Sequence, residues 1–326
     1  MNKNVLVIGG GGYVGTELVK LLLKKGYFVT VYDLFIYGNN LSSHKNLKIV
    51  RGDIRNIEQL TQEVKLVKNV IHLACISNDP SYELNPELSK SINYDCFEPL
   101  IKICKKYSVK KFIYASSSSV YGIKSEPNVS EDMELNPLTD YSKFKAKCEE
   151  VVLRYASSDF VCTILRPATV CGYSSRLRLD VVVNILTNLA VNKGEISIFG
   201  GKQLRPNIHI KDMIKSYNDI LDAKESNINK EIFNVGSVNI SVEDIALTVR
   251  EIVGNNVKLK YVPTDDHRSY HVNSEKISQI INFKTEYSIN KAVEDLVEAF
   301  DKNLIKDSLN NDLYFNIKRM QNINLT

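Results

Sequence analysis

The chain has 326 residues, 44% of them hydrophobic and 25% charged, with 42 Lys and Arg against 38 Asp and Glu for a formal charge of +4. These proportions exclude a disordered or fibrous chain, and the length allows about two domains with a core that needs no disulfide or metal staple. The basic residues are scattered as Lys-Lys pairs, so no nucleic-acid surface is indicated, and no apolar run approaches the ~18 residues of a membrane span. Met1-Asn2-Lys3-Asn4 runs straight into a short apolar strand without a cleavage-type region. The six cysteines (Cys75, Cys96, Cys104, Cys148, Cys162, Cys171) are widely spaced and form no C-x-x-C. That usage reads as reduced thiols of a cytoplasmic protein.

Val5–Ile8 is an apolar strand that ends in four glycines, Gly9 to Gly12. Val14 to Lys25 then has helical spacing, with Val14, Leu18, Leu21 and Leu22 on one face and Gly26 after the last turn. Phe28–Tyr32 is a second strand, closed by Asp33. Leu47–Val50, Val70–Leu73, Phe112–Ala115 and Cys162–Leu165 are further short β-rich runs, and residues 55–65, 84–106 and 138–156 are predicted helices between them. Short apolar strands alternating with helices predict an α/β fold with a doubly wound parallel sheet covered on both faces. After Gly172 the pattern changes. Leu179–Asn192, Glu243–Val253 and Lys291–Lys302 read as helices; Ile196–Phe199, Asn207–Ile210 and Lys258–Val262 read as strands among loops. Residues 303–326 have weak periodicity and read as a tail or a loosely docked last helix.

Gly9-Gly10-Gly11-Gly12-Tyr13-Val14-Gly15 fits both G-x-x-G-x-x-G and G-x-G-x-x-G. It follows a strand, opens a helix, and has Asp33 eighteen residues beyond Gly15 at the end of the next strand. Glycine lets the backbone turn sharply and lets a pyrophosphate approach, where the helix start offers free N–H groups. Asp33 is placed to accept from the adenosine ribose hydroxyls and would repel a 2′-phosphate, so the expected cofactor is NAD rather than NADP. Gly52-Asp53-Ile54 follows the third strand and reads either as an adenine contact or as an ordinary turn.

Tyr141-Ser142-Lys143-Phe144-Lys145 carries Tyr-x-x-x-Lys in a helical segment, so the phenol of Tyr141 and the ammonium of Lys145 share one face. A free tyrosine titrates near ~10 and is a poor base at neutral pH; the Lys145 charge, with a positive nicotinamide ring, is expected to lower it. Ala115-Ser116-Ser117-Ser118-Ser119-Val120-Tyr121-Gly122 follows a predicted strand, and Ser117 lies twenty-four residues before Tyr141. A hydroxyl at a strand's C-terminal end sits where α/β sheets bind ligands.

With these motifs the chain resembles the extended short-chain dehydrogenase/reductases of the nucleotide-sugar epimerase/dehydratase family. The resemblance rests on the Gly9–Gly15 loop, Asp33, Asp53-Ile54, His72-Leu73-Ala74, Ser117 before Val120-Tyr121-Gly122, and Tyr141 with Lys145. It extends to Leu165-Arg166-Pro167, Arg205 with Asn207-Ile208-His209-Ile210-Lys211-Asp212, and Phe233-Asn234-Val235-Gly236. It implies that Tyr141 is the general acid/base, that Ser117 hydrogen-bonds the reacting sugar oxygen, and that Lys145 holds the nicotinamide ribose. It implies cofactor contacts at Gly9, Gly12, Tyr13, Val14, Gly15, Asp33, Asp53, Ile54, Leu73, Ala74 and Pro167.

The departures from the family narrow the reaction. Its 4,6-dehydratases resemble Thr-Asp-Glu before Val-Tyr-Gly, whereas Ser118 and Ser119 stand in those places here, which argues against dehydration. Thr169 replaces an asparagine that usually touches substrate, and the Arg176-Leu177-Arg178-Leu179-Asp180 stretch up to Asn184 resembles a subgroup that includes dehydrogenases of GDP-linked heptose. Arg176 and Arg178 read either as phosphate or base contacts or as solvated cations at a helix start. Arg205 and Arg268 are the stronger diphosphate candidates, since a guanidinium grips phosphate with two hydrogen bonds. Asn78, in Ser77-Asn78-Asp79-Pro80, reads as a sugar contact or as a capped turn. His267 and His271 lack a third ligand, so no metal is expected.

The expected reaction is oxidation at C-4 of a nucleotide-linked sugar, with net 4-epimerisation leading and net 4-dehydrogenation or ketoreduction second; a cofactor sensor on the same fold is the reading from another class. The expected organisation is a Rossmann domain over residues 1–174, with segments returning at about 209–237 and 275–303. A smaller, discontinuous α+β lobe for the nucleotide-diphosphate sugar spans 175–208 and 238–274, and 304–326 is a tail. The resemblance also implies a homodimer through the helices near 84–106 and 138–156.

Overall fold

The computed structural model describes residues 3–124, 126–264, 271–323 and 325. Six strands follow one another through the first half of the chain: β1 (Asn4–Ile8), β2 (Phe28–Asp33), β3 (Leu47–Arg51), β4 (Asn69–His72), β5 (Lys111–Ala115) and β6 (Val161–Pro167). With a seventh strand, Glu231–Val235, they form one all-parallel sheet in the order Glu231–Val235, β6, β5, β4, β1, β2, β3. The order reverses beside β1, which opens a crevice at the carboxyl ends of β1 and β4.

Alternation along each strand builds a core on both faces. Val5, Val7, Val29, Val31, Ile71 and Ile113 face helices Tyr13–Lys24 and Ile210–Asp222, where Leu18, Leu22, Met213 and Tyr217 cover them. Leu6, Ile8, Val70, Phe112 and Tyr114 face helices Ile57–Val64, Phe97–Lys106 and Asp140–Tyr155, against Leu60, Leu100 and Val152. Each such fully buried side chain contributes roughly 1.5–3 kcal/mol.

A second body of structure stands over the crevice. Thr169–Cys171, Leu204–His209 and Val238–Ser241 form a three-stranded sheet, and Glu195–Phe199 pairs in parallel with Lys258–Val262. Helices Val182–Lys193, Val242–Val253 and Ile289–Asp301 bury Val183, Leu186, Ile245, Val249 and Val293 against Ile196 and Ile198.

Three local expectations are corrected. The helix expected over 84–106 is broken into Asp79–Glu83, Pro86–Lys90, one π turn at Ser91–Asp95 and Phe97–Lys106, because Asn78 and Asn85 cap new starts that Pro80 and Pro86 favour. The strand expected to end at Ile210 runs from Leu204 to His209, and His209 caps a helix that begins at Ile210. The strands Thr169–Cys171, Glu231–Val235 and Val238–Ser241 were absent from the sequence reading. The C-terminal stretch carries helix Asn316–Asn322, with Asn316 and Met320 buried.

Candidate active site

The glycine loop is built by close approach. Gly9 has φ +84°, and a Cβ there would come within 2.4 Å of the Ala74 amide nitrogen; a Cβ on Gly15 would lie 2.4 Å from the Gly9 carbonyl oxygen. Glycine at both positions lets the ends of β1 and β4 touch and lets helix Tyr13–Lys24 start against the loop. Gly12 caps that helix with no side-chain hydrogen bond, and its first turn holds no acid. Its leading amides therefore present an uncompensated positive end toward a cavity of about 420 Å³. Asp33, at the end of β2, accepts from the amides of Gly11 at 2.8 Å and Phe35 at 2.6 Å. Burial raises its carboxyl above the ordinary range, and those two amides pull against the rise. Asp33, Ile54, Leu73 and Ala74 line a smaller apolar pocket of about 110 Å³ that shares Gly9 and Gly12 with the large one.

Ser117 and Tyr141 both open into the large cavity. Ser117 has extended backbone at the start of the turn Ser118–Tyr121; its Oγ accepts from the Ser119 amide at 3.1 Å and lies 2.9 Å from the Ser119 Oγ. Tyr141 stands in the first turn of helix Asp140–Tyr155, which Thr139 and Ser142 cap reciprocally. The Thr139 hydroxyl also donates to Asp79 Oδ1 at 2.6 Å, which ties the 77–79 loop to the helix that carries the tyrosine. Lys145 Nζ donates to the Ala115 carbonyl at 2.7 Å and lies 5.8 Å from the centre of the Tyr141 ring.

Enclosure by the protein pushes the Tyr141 hydroxyl well above the ordinary tyrosine value, with Cys75 and Asp79 adding to the rise and Arg178 and Ser117 opposing it. A positive nicotinamide ring beside the phenol, together with the Lys145 ammonium, would act against that rise.

A family model for the NAD dependent epimerase/dehydratase family matches residues 5–236. The chain belongs to that family. It is an NAD-dependent enzyme. The UDP-glucose 4-epimerase of Lactobacillus helveticus is 25% identical over 305 residues, 87% of this chain and 92% of the relative. The UDP-N-acetyl-alpha-D-glucosaminuronate decarboxylase of Bacillus cytotoxicus is 27% identical over 277 residues, 81% and 84% of the two chains. A solved structure of UDP-glucose 4-epimerase with UDP-glucose from Thermotoga maritima superposes with a TM-score of 0.80 at 25% identity, covering 93% of this chain and all of that one.

In this member of the family the free helix amides and the glycine cradle have the chemistry to suit a dinucleotide's diphosphate, and the Asp33 carboxylate has the chemistry to suit its ribose. Val14 and Pro167 line the large cavity with Gly12, Tyr13 and Gly15, as do Asn78, Thr169, Arg178 and Arg205. Arg178 is largely buried: its Nε donates to Asp180 Oδ1 at 2.8 Å and its Nη1 to Ser77 Oγ at 3.3 Å. Arg176 is 3% exposed, which removes the solvated-cation alternative for it.

Other expected contacts lie elsewhere. Asn184 is fully buried behind the cavity wall, where it accepts from the Gly172 amide and donates to the Tyr13 hydroxyl at 3.1 Å and to the Arg178 carbonyl at 2.8 Å. Its amide is consumed in positioning Tyr13 and the 172–178 loop. The Asp53 carboxylate is taken by the Arg55 guanidinium at 2.6 Å. Burial alone would raise that carboxyl, but Arg55 holds it below the usual range. Arg268 lies outside the described residues. Asn316, Tyr37 and Asp180 also line the cavity and were missed as site residues; Asn316 gave no signal, standing in a stretch without periodicity, whereas Asp180 followed Arg178 at a spacing that fits an ion pair.

Several family motifs act on the frame rather than the chemistry. Arg166 Nη1 donates to the Tyr121 hydroxyl at 2.8 Å, and that hydroxyl donates to Asn234 Oδ1 at 2.7 Å. Asn234 Nδ2 in turn donates to the Val129 and Asn273 carbonyls. This buried chain joins β6, the strand Glu231–Val235 and the loop after Ser117.

Proposed function

We propose that the protein is a nucleotide-sugar 4-epimerase acting through a 4-keto sugar. Carrying this reading is the placement of Ser117 and Tyr141 in one cavity with the glycine-loop helix start, while the positions that hold acids in dehydratases are Ser118, which is buried, and Ser119, which bonds Ser117. Bound NAD supplies the capacity to take a hydride from carbon and return it. Tyr141, as the phenolate that the Lys145 ammonium and a positive nicotinamide ring favour against burial, accepts the proton of the C-4 hydroxyl as the C-4 hydrogen leaves as hydride, and gives that proton back when hydride returns to the other face of the ketone. Ser117 donates a hydrogen bond to the same oxygen. Neither serine at 118 or 119 can serve as a carboxylate base for elimination at neutral pH. Arg178 and Arg205 hold the diphosphate of the sugar nucleotide, and Asn78 and Thr169 face its sugar. A carboxylate at Asp33 supports NAD over NADP.

The test incubates the purified protein with UDP-, GDP-, dTDP- and CDP-sugars and reads products by NMR and reduced cofactor at 340 nm. Interconversion of C-4 epimers without lasting NADH supports the reading. Stoichiometric NADH with a 4-keto product makes the enzyme a 4-dehydrogenase, and no product from any sugar despite bound NAD removes both.

A further inference from the structure

The C-terminal segment returns across the cofactor side of the crevice. Asn316 is 2% exposed. Its amide donates to Asp180 Oδ2 at 2.9 Å, its Nδ2 donates to Ser77 Oγ at 3.0 Å, and its Oδ1 accepts from Arg176 Nη2 at 2.7 Å. Arg319 Nε donates to the Ile36 carbonyl at 2.6 Å, and Leu325 closes the small apolar pocket beside Ile36, Ile54 and Ile92. One segment thus contacts both cavities.

Arg176 is the group this arrangement leaves unsatisfied. Its guanidinium carbon lies 3.7 Å from the centre of the Tyr37 ring, its Nε has no hydrogen-bond partner, and among the described residues it forms no salt bridge. It borders the large cavity together with Gly12, Tyr13 and Val14. Burial pulls its affinity for the proton down to about 10, opposed by Tyr37, Asp180 and Asp33. A buried cation with no anion in direct contact is costly, and an anion placed against it offsets that cost. Arg178 differs: it already holds Asp180.

We propose that Arg176 binds the diphosphate of the dinucleotide, and that residues 312–323, with Leu325, act as a strap which holds Arg176 through Asn316 and must lift before the cofactor leaves. The dinucleotide is favoured over the sugar nucleotide because Arg176 packs on Tyr37, which lines both pockets and follows the strand that ends in Asp33. This rests on NAD being held on the glycine loop and is independent of the sugar reaction.

The test uses the full chain with Arg176→Gln and Asn316→Ala, each checked for native circular dichroism. Release of NAD on dilution should accelerate roughly ten- to a hundredfold in Arg176→Gln, the loss of about one or two charge-assisted hydrogen bonds, and by a smaller factor in Asn316→Ala. Affinity of the NAD-loaded protein for UDP and GDP should stay within about twofold. On the unaltered chain, NAD should slow tryptic cleavage after Lys318 and Arg319, and UDP or GDP alone should not. Unchanged NAD release in both variants, or cleavage at one rate with and without NAD, overturns the proposal; so does weakened UDP or GDP binding with NAD release intact, which would give Arg176 to the substrate diphosphate.

Discussion

Arg166 grips Glu149 beneath the active site, with Nη2 2.6 Å from Oε2 and Nε 3.1 Å from Oε1, and each side chain is only 3% exposed. The Ser116 hydroxyl donates to the same carboxylate. The pair therefore joins β6, the helix that carries Tyr141 and the strand end that carries Ser117. Truncating one partner leaves an uncompensated buried charge. Glu149→Ala is expected to cost about 3–5 kcal/mol, read from urea unfolding, whereas joint replacement of Glu149 and Arg166 by apolar residues of similar volume should recover much of that loss.

The glycine loop gives a second expectation. In Gly15→Ala the new methyl must displace the Gly9 carbonyl, which it would meet at 2.4 Å, and with it the start of helix Tyr13–Lys24. Overpacking of this kind costs roughly 1–3 kcal/mol. Calorimetry should show a lower Tm and loss of measurable NAD binding together. Unchanged NAD affinity would place the cofactor off this loop.

Acid stability should report His72. It is 3% exposed, its Nδ1 has no hydrogen-bond partner, and burial pulls it from an ordinary 6.5 down to about 3. The unfolded chain binds a proton between those values and the folded chain does not, so the contribution is present above about 6.5 and is lost as pH falls toward 3, by at most about 1.4 kcal/mol per pH unit. Buried Asp33 and Asp212, both pushed up by burial, act in the opposite sense. Comparison with His72→Phe isolates the histidine: the unaltered chain should lose stability relative to the variant as pH is lowered from 6.5 to 4. Parallel curves would contradict the assignment.

What the sequence made legible follows from how local each signal is. The glycine run, Asp33 and the first six strands could be read because strand burial and loop closure there are encoded in adjacent residues. The Glu231–Val235 strand was missed because a buried asparagine interrupts its apolar run, and Asn234 is paid for by partners on three distant segments, Tyr121, Val129 and Asn273. Asn184 was misread for the same reason, since its partners Tyr13 and Gly172 lie far off or around a loop. The docking of Asn316 depends on Ser77, Arg176 and Asp180, none of them near it in sequence, so no pattern along the chain announces it. The rise of Tyr141 likewise comes from enclosure, which spacing does not reveal.

Tyr141 bears the proton transfer in this account. Tyr141→Phe should lower kcat by roughly 10²–10⁴-fold, because a general acid/base is removed, while NAD binding persists. A cofactor sensor would keep its function in that variant.

The most direct measurement follows a deuterium placed at C-4 of the nucleotide sugar that the panel identifies as substrate. NMR should find the label still on C-4 after epimerisation, with no accumulation of reduced cofactor and with turnover in Tyr141→Phe lowered roughly 10²–10⁴-fold. Deuterium left on released NADH, or exchanged with solvent, would contradict 4-epimerisation through a retained 4-keto sugar.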